Sequence, residues 1–245
     1  MPVVVRGNAS KIAVNIPTSF KASGGTGPYT YSVLAGGSGG SISSSTGLYT
    51  APSTINDQDP SKNTDTIVAT DFLTIKGRTS ITVMSPLDLF CDIIQTEMSL
   101  ANGRVYLWDQ KIKEPTDFDP YIIVSVLNAK PFGTSNKMDS SGNSVQSVNM
   151  QATLSVDIKS RGIGALTRKE EIIMALDSNY SRQQQDANAF SLAKLSSSFT
   201  NLSNEDGAAI PYRFNITVNM IYTVKKTKAV AYYDTLSDVT VTVEP

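Results

Sequence analysis

Three groups of residues have types and spacings that could do chemistry. Gly36-Gly-Ser38-Gly-Gly40 fits the G-x-S-x-G pattern that presents a nucleophilic serine on a strand-to-helix turn. Asn56-Asp57-Gln58-Asp59, with Asp65 beyond, gathers carboxylates of the kind a calcium ion takes. Asp117 and Asp119 flank Phe118, and paired carboxylates are the equipment of general acid–base hydrolysis. Each group lacks a necessary companion. The 245 residues contain no histidine and one cysteine, Cys91, so Ser/His triads, Cys/His pairs, zinc sites and HExxH helices are all excluded. Ser38 is followed by more glycine and no helical pattern, which makes its segment a flexible turn. The acidic spacing departs from the EF-hand loop, which makes 56–66 a long, exposed polar loop. The two aspartates before Pro120 read as turn formers. No catalytic, cofactor or metal residue is expected, and an enzyme would be confined to carboxylate chemistry.

The remaining polar and aromatic groups point to contact surfaces. Arg161, Arg168, Lys169 and Arg182 lie among Glu170, Glu171, Asp177 and Asp186, the pattern of a charge-mixed solvated or subunit-contacting face. Lys225-Lys226-Thr-Lys228 is a further basic run that could touch phosphates. With a net charge of −1, however, there is no electrostatic case for sequence-independent DNA binding. Trp108, Tyr106, Tyr232 and Tyr233 are either core or contact residues. Met84, Met98, Met174 and Met220 are expected to fill core gaps. The start, Met1-Pro-Val-Val-Val-Arg6-Gly7, lacks the pattern of a secretory signal, and the longest apolar run, 121–127, falls far short of a membrane span. Assembly in a cytoplasm, without membrane insertion, is expected. The glycosylation-type triplets at Asn8, Asn201 and Asn215 are taken as chance matches.

Two kinds of element must position these groups. Residues 1–84 alternate apolar and polar side chains, as at Ile12, Val14 and Ile16 and at Tyr29, Tyr31 and Val33, with glycine- and proline-rich reversals between. This pattern predicts an all-β, immunoglobulin-like sandwich. Ser85-Pro86-Leu87-Asp88 is a helix start, and Leu87, Cys91, Ile94, Met98 and Ala101 keep helical spacing up to Gly103. A helix over 86–102 therefore opens a second domain, 85–245. There, 121–127, 148–159 and 212–222 read as strands of about ten residues, the last two with one apolar face. Thr167-Arg-Lys-Glu170 reads as the capping box of a helix bearing Ile172, Ile173, Leu176 and Tyr180. The second domain is thus α+β, an antiparallel sheet with helices packed on one face.

Two family patterns are visible in these residues. Gly27-Pro-Tyr-Thr-Tyr-Ser-Val33, Gly39-Gly-Ser-Ile42, Ser45-Thr-Gly-Leu-Tyr-Thr-Ala-Pro52, Ile67-Val-Ala-Thr-Asp71 and Thr79-Ser-Ile-Thr-Val83 resemble bacterial and phage immunoglobulin-like domains. Pro120-Tyr-Ile-Ile-Val-Ser-Val-Leu127, Ser155-Val-Asp-Ile-Lys-Ser-Arg161, Arg168-Lys-Glu-Glu-Ile-Ile-Met-Ala-Leu176, Gly207-Ala-Ala-Ile-Pro-Tyr-Arg-Phe214 and Tyr222-Thr-Val-Lys-Lys226 resemble neck and tail-terminator proteins of tailed bacteriophages. The second resemblance implies a structural virion protein: a homo-oligomeric ring, typically hexameric, that caps the tail tube and joins it to the head connector. The expected partners are further copies, tube proteins, sheath proteins if the tail contracts, and connector proteins. DNA would pass through without sequence-specific binding, and no membrane is involved. A neighbouring neck or collar ring fits the same residues. So does an adhesion or glycan-binding module, with Tyr29, Tyr31 and Tyr49 stacking on sugars.

Overall fold

The computed structural model describes residues 1–56, 59–107, 114–139, 142–193, 198–203 and 212–228. Eight strands form the first part: β1 (Val4–Gly7), β2 (Lys11–Ala13), β3 (Pro17–Ser23), β4 (Thr30–Val33), β5 (Ser41–Ile42), β6 (Leu48–Thr50), β7 (Thr64–Thr70) and β8 (Lys76–Met84). They make two four-stranded sheets, β1-β3-β6-β5 and β2-β8-β7-β4. Alternate side chains from both sheets, among them Val5, Phe20, Tyr49, Ile67 and Ile81, meet in one core. Phe20 and Tyr49 pack edge to face with ring centroids 6.0 Å apart. The sandwich is all-β and immunoglobulin-like, as the alternation predicts. The exposed loop expected over 56–66 is shorter than predicted, because Pro60–Asn63 forms a 3-10 turn and β7 begins at Thr64. The Asn63 amide holds that turn, accepting from the Asn56 N–H at 2.6 Å and donating to its carbonyl at 3.2 Å. Asp57 and Gln58 lie outside the described residues.

Helix α1 (Pro86–Glu97) starts as the sequence predicts. The Ser85 side chain accepts from the Asp88 N–H and Asp88 answers the Ser85 N–H, a full capping box. It stops earlier than expected. Ser99 takes a left-handed φ of 51°. Its N–H donates to the Thr96 carbonyl at 3.1 Å and the Leu100 N–H donates to the Gln95 carbonyl at 2.9 Å. This closes a Schellman motif with serine where glycine usually stands, so Gly103 is not the terminator.

The second sheet is built on three long antiparallel strands: β10 (Tyr121–Met138), β11 (Ser144–Ser160) and β14 (Tyr212–Lys228). Short strands β9 (Val105–Leu107), β12 (Phe190–Leu192) and β13 (Thr200–Asn201) complete it in the order β12-β14-β11-β10-β9, with β13 also on β14. β9 runs parallel to β10, an exception to the antiparallel expectation. Helices α2 (Gly164–Leu176) and α3 (Asn179–Asn188) join α1 on one face. Ile122, Val124, Leu154, Val156, Ile216 and Val218 are buried against Leu89, Ile93, Ile94, Ile172 and Leu176.

Two helix expectations are corrected. Thr167 lies inside α2 and caps nothing; its hydroxyl donates back to the Ile163 and Gly164 carbonyls at 3.3 Å. Ser160 Oγ serves the helix start instead, accepting from the Ala165 N–H at 2.8 Å. Tyr180 belongs to α3, which has its own cap at Ser178. The strands also run to 17 and 18 residues where about ten were expected. Met174 is 69% exposed and fills no core, unlike Met98 and Met220, while Met84 packs partly buried against it.

The sandwich is fastened to the helices through β2. Lys11 Nζ meets Asp92 Oδ1 at 2.5 Å, and the Tyr180 hydroxyl donates to Asp92 Oδ2 at 3.3 Å. The Ala13 N–H donates to Asn188 Oδ1 at 2.6 Å. Asn188 is itself buried and held by Gln184.

Candidate interaction surface

The serine motif closes on a carboxylate. Asp65, fully buried in β7, accepts from the Ser38 N–H and hydroxyl, both at 2.6 Å, from the Gly40 N–H at 3.0 Å and from the Tyr49 hydroxyl at 2.6 Å. A Cβ at Gly37 would collide with Asp65, and one at Gly40 with the Tyr49 hydroxyl. These close approaches explain the glycines around Ser38. Burial first, then the hydrogen bond to Asp65, push the Tyr49 phenol far above its ordinary range, which keeps it a donor. Ser38 is therefore a structural donor. Asp65 is not the solvated loop carboxylate that the sequence suggests.

The other sequence-level candidates are likewise held apart or paired. Arg104 grips both Asp117 oxygens, and its hydrogen bond holds the Asp117 carboxyl below the usual range; Asp119, 82% exposed, lies 4.0 Å from the same guanidinium. Arg168 pairs with Glu171 at 2.7 Å, Lys169 with Glu170 at 2.6 Å and Arg182 with Asp177 at 2.9 Å. This is the charge-mixed face expected from sequence. Tyr49 is buried and offers no ring to a sugar. Tyr29 and Tyr31 are half-buried, and their hydroxyls bond to the Gly24 carbonyl and the Ala22 N–H. Trp108, Tyr232 and Tyr233 lie outside the described residues; Tyr106 packs edge to face on Tyr121. Cys91 borders a groove of about 680 Å³ between β8, α1 and the β9–β10 edge. Burial raises its thiol pKa well above the ordinary value, so it stays protonated. Among the described residues, no three His, Cys, Asp or Glu side chains gather as a metal site, and no helix is long and apolar enough to cross a membrane.

What the sequence did not reveal is an arm. The three long strands outrun the helices, so residues 126–138, 144–151 and 221–228 project as a three-stranded ribbon. The face that carries the core continues along it through Pro131, Met150, Val148, Tyr222 and Val224. Burial fades along this row: Ala152 and Met220 are buried, Met150 and Tyr222 are half-buried, and Val224 is 50% exposed. Among the described residues no layer covers this stripe, and an exposed apolar stripe is the mark of a contact surface. The ribbon also collects charge. It carries Lys130, Lys137, Lys225, Lys226 and Lys228 against a single acid, Asp139. Among the described residues, none of these lysines has an ion-pair partner. Asp139 is engaged at the hairpin turn by Asn143, at 2.8 and 3.0 Å.

No family model matches this chain, and no curated protein does. Among solved structures it is similar to human protocadherin-24 EC1-2, with 11% identity over 64% of this chain and 86% of that one, at a TM-score of 0.27. It is similar to the sheath/tube terminator of an extracellular contractile injection system, PVC, in the extended state. That match has 12% identity over 67% of this chain and 66% of that one, at a TM-score of 0.37. A third is protocadherin gamma B2 extracellular cadherin domains 3-6, with 12% identity over 64% of this chain and 43% of that one, at a TM-score of 0.24. The chain thus spans just under two thirds of the terminator and less than half of the gamma B2 fragment.

Proposed function

We propose that this chain is a structural subunit that joins copies of itself into a closed ring at the end of a virion tail tube. Its work is assembly and not bond chemistry. The observation that carries the reading is the arm: a three-stranded ribbon continuing the core sheet, with an apolar row that no layer covers among the described residues. Burial of Pro131, Val148, Met150 and Val224 against a second copy would remove apolar surface from water, worth about 25 cal/mol per Å². An arm on one side of a protomer that seats on a different surface of the next is a heterologous contact, and such contacts generate rings when the rotation closes. The second-half resemblance to phage neck and tail-terminator proteins supplies the setting, with tube and connector proteins as partners, sheath proteins too if the tail contracts, and the immunoglobulin-like sandwich as an outward decoration.

Negative-stain electron microscopy of the purified full chain tests the reading. Rings of uniform diameter with a central opening are expected. Single protomers, or open filaments without closure, would contradict it.

A further inference from the structure

The sandwich ends, away from α1, in a pole where apolar side chains and unpaired cations meet. β8 runs nine residues, Lys76–Met84, which puts about 27 Å between this pole and the start of α1. Every residue of the pole is described. The turn from β7 to β8 carries Phe72, Leu73 and Ile75, all exposed, the first two at 69% and 59%. The backbone fixes their display. Asp71 Oδ1 accepts from the Ile75 N–H at 2.7 Å and Oδ2 from the Thr26 N–H at 2.9 Å. The Phe72 N–H donates to the Thr26 carbonyl at 2.9 Å, and the Thr74 N–H to the Asp71 carbonyl at 3.0 Å, with Thr74 at a left-handed φ of 66°. A tip held this way loses little further conformational freedom when it makes a contact.

Behind the tip stands a collar of cations. Lys76 borders the turn, and Arg78 follows two residues along β8 on the same side of the strand. On the other sheet Arg6 of β1 lies directly across from Lys21 of β3, two residues short of the β3 end at Ser23. All four are exposed. Like charges directly opposite on neighbouring strands weaken a sheet, so the Arg6–Lys21 pair is a cost that the fold itself does not require. Among the described residues none of the four has an ion-pair partner. The one acid of the pole, Asp71, is buried and occupied by backbone N–H groups.

The make-up of the pole selects its partner. A fully exposed aromatic side chain offers ~200 Å², so three apolar side chains fall short of the roughly 800 Å² that one side of a stable protein complex buries. Leucine and isoleucine have no flat ring to stack on a sugar. A lipid surface asks for neither area nor stacking: apolar groups enter about 5–10 Å into the headgroup and acyl boundary, and cations nearby meet anionic headgroups. Two strand residues span about 7 Å, so an end-on approach brings the cations of both sheets to that depth. We infer that the β7–β8 turn is a lipid-contact site, with Phe72, Leu73 and Ile75 inserted in an anionic bilayer surface and Lys76, Arg78, Arg6 and Lys21 at its phosphates. The contact is peripheral, and it stands apart from whether the arm meets a second copy. The expectation of no membrane rested on the second-half resemblance and on the lack of a spanning segment, and neither concerns this pole.

The test is flotation of the full chain with vesicles of phosphatidylcholine alone or mixed with phosphatidylglycerol. Binding is expected to the mixed vesicles only, and to weaken as salt rises. Each Lys or Arg at an anionic surface is worth about fivefold, so Lys21→Ala with Lys76→Ala should weaken binding about 25-fold. Phe72→Ser with Leu73→Ser should weaken it by more than about tenfold. All four side chains are exposed, and unchanged melting temperatures would show that the variants fold. Phe72→Trp supplies a site-specific reading: its emission should move to the blue with mixed vesicles, beyond any change in the parent chain, which holds Trp108 alone. No flotation, or equal flotation with neutral lipid, would overturn the inference. So would binding indifferent to Phe72→Ser with Leu73→Ser, which would point to the lysines of the arm. A Phe72→Trp signal that answers to heparin, a soluble polyanion, and not to vesicles would overturn it as well.

Discussion

Asp65 does the most structural work of any single side chain in the sandwich. Its four donors come from the glycine-rich turn and from β6, so one carboxylate ties a loop and both sheets together. Asp65→Ala strands the Tyr49 hydroxyl and two backbone-anchored donors in a buried site. It is expected to lower stability by about 3 kcal/mol, read as a shifted urea midpoint. Tyr49→Phe removes one donor and leaves the carboxylate three, so about 1 kcal/mol is expected. Asp71 contributes to the acid dependence of stability. Its burial opposes ionisation, but the backbone N–H groups of Thr26, Ile75 and Leu73 outweigh that and hold the carboxyl below the usual range. A carboxyl depressed in the folded state stabilises above the unfolded value and loses that stabilisation as pH falls through the folded one. Melting temperature should therefore drop as pH falls below about 4, and Asp71→Asn should flatten part of that drop while lowering stability at pH 7.

At the scale of elements, the helix ends give the sharpest expectations. Ser85→Ala removes the α1 cap and should cost about 1 kcal/mol in denaturant unfolding. Ser99→Gly relieves a left-handed serine at the other end and should add roughly 0.5 kcal/mol. The same elements show what was legible in the sequence. The start of α1 was readable because capping is local, as Ser85 and Asp88 are three residues apart. Its end was not, because Ser99 adopts a conformation that its residue type does not announce. α3 was missed because NYSRQQQDAN has no apolar stripe; the helix is held by its Ser178 cap and by polar ties such as the Gln185 side chain accepting from the Leu192 N–H at 2.9 Å. The far half of β10 was missed because Pro131, Gly133 and a run of polar residues look like a loop. It is a strand because β11 supplies its hydrogen-bonding partners across a long ladder, which no local signal encodes. Hence the core half of the second sheet was visible as alternation, and the arm was not.

For the whole molecule, the charge and apolar surface are unevenly shared. The ribbon holds five lysines and one acid in a chain of net charge −1, so the remainder is acidic overall. A basic arm and an acidic body attract between copies, which favours head-to-tail encounter and makes it sensitive to salt. The most direct measurement is sedimentation velocity on the full chain beside the pair Val148→Lys and Val224→Lys, whose side chains lie on the uncovered row and whose stability should be little changed. The wild-type chain is expected to sediment as one discrete species several times 26.3 kDa, and the paired variant as a folded monomer. A wild-type monomer at every concentration, or an oligomer that survives both lysines, would contradict assembly through the arm.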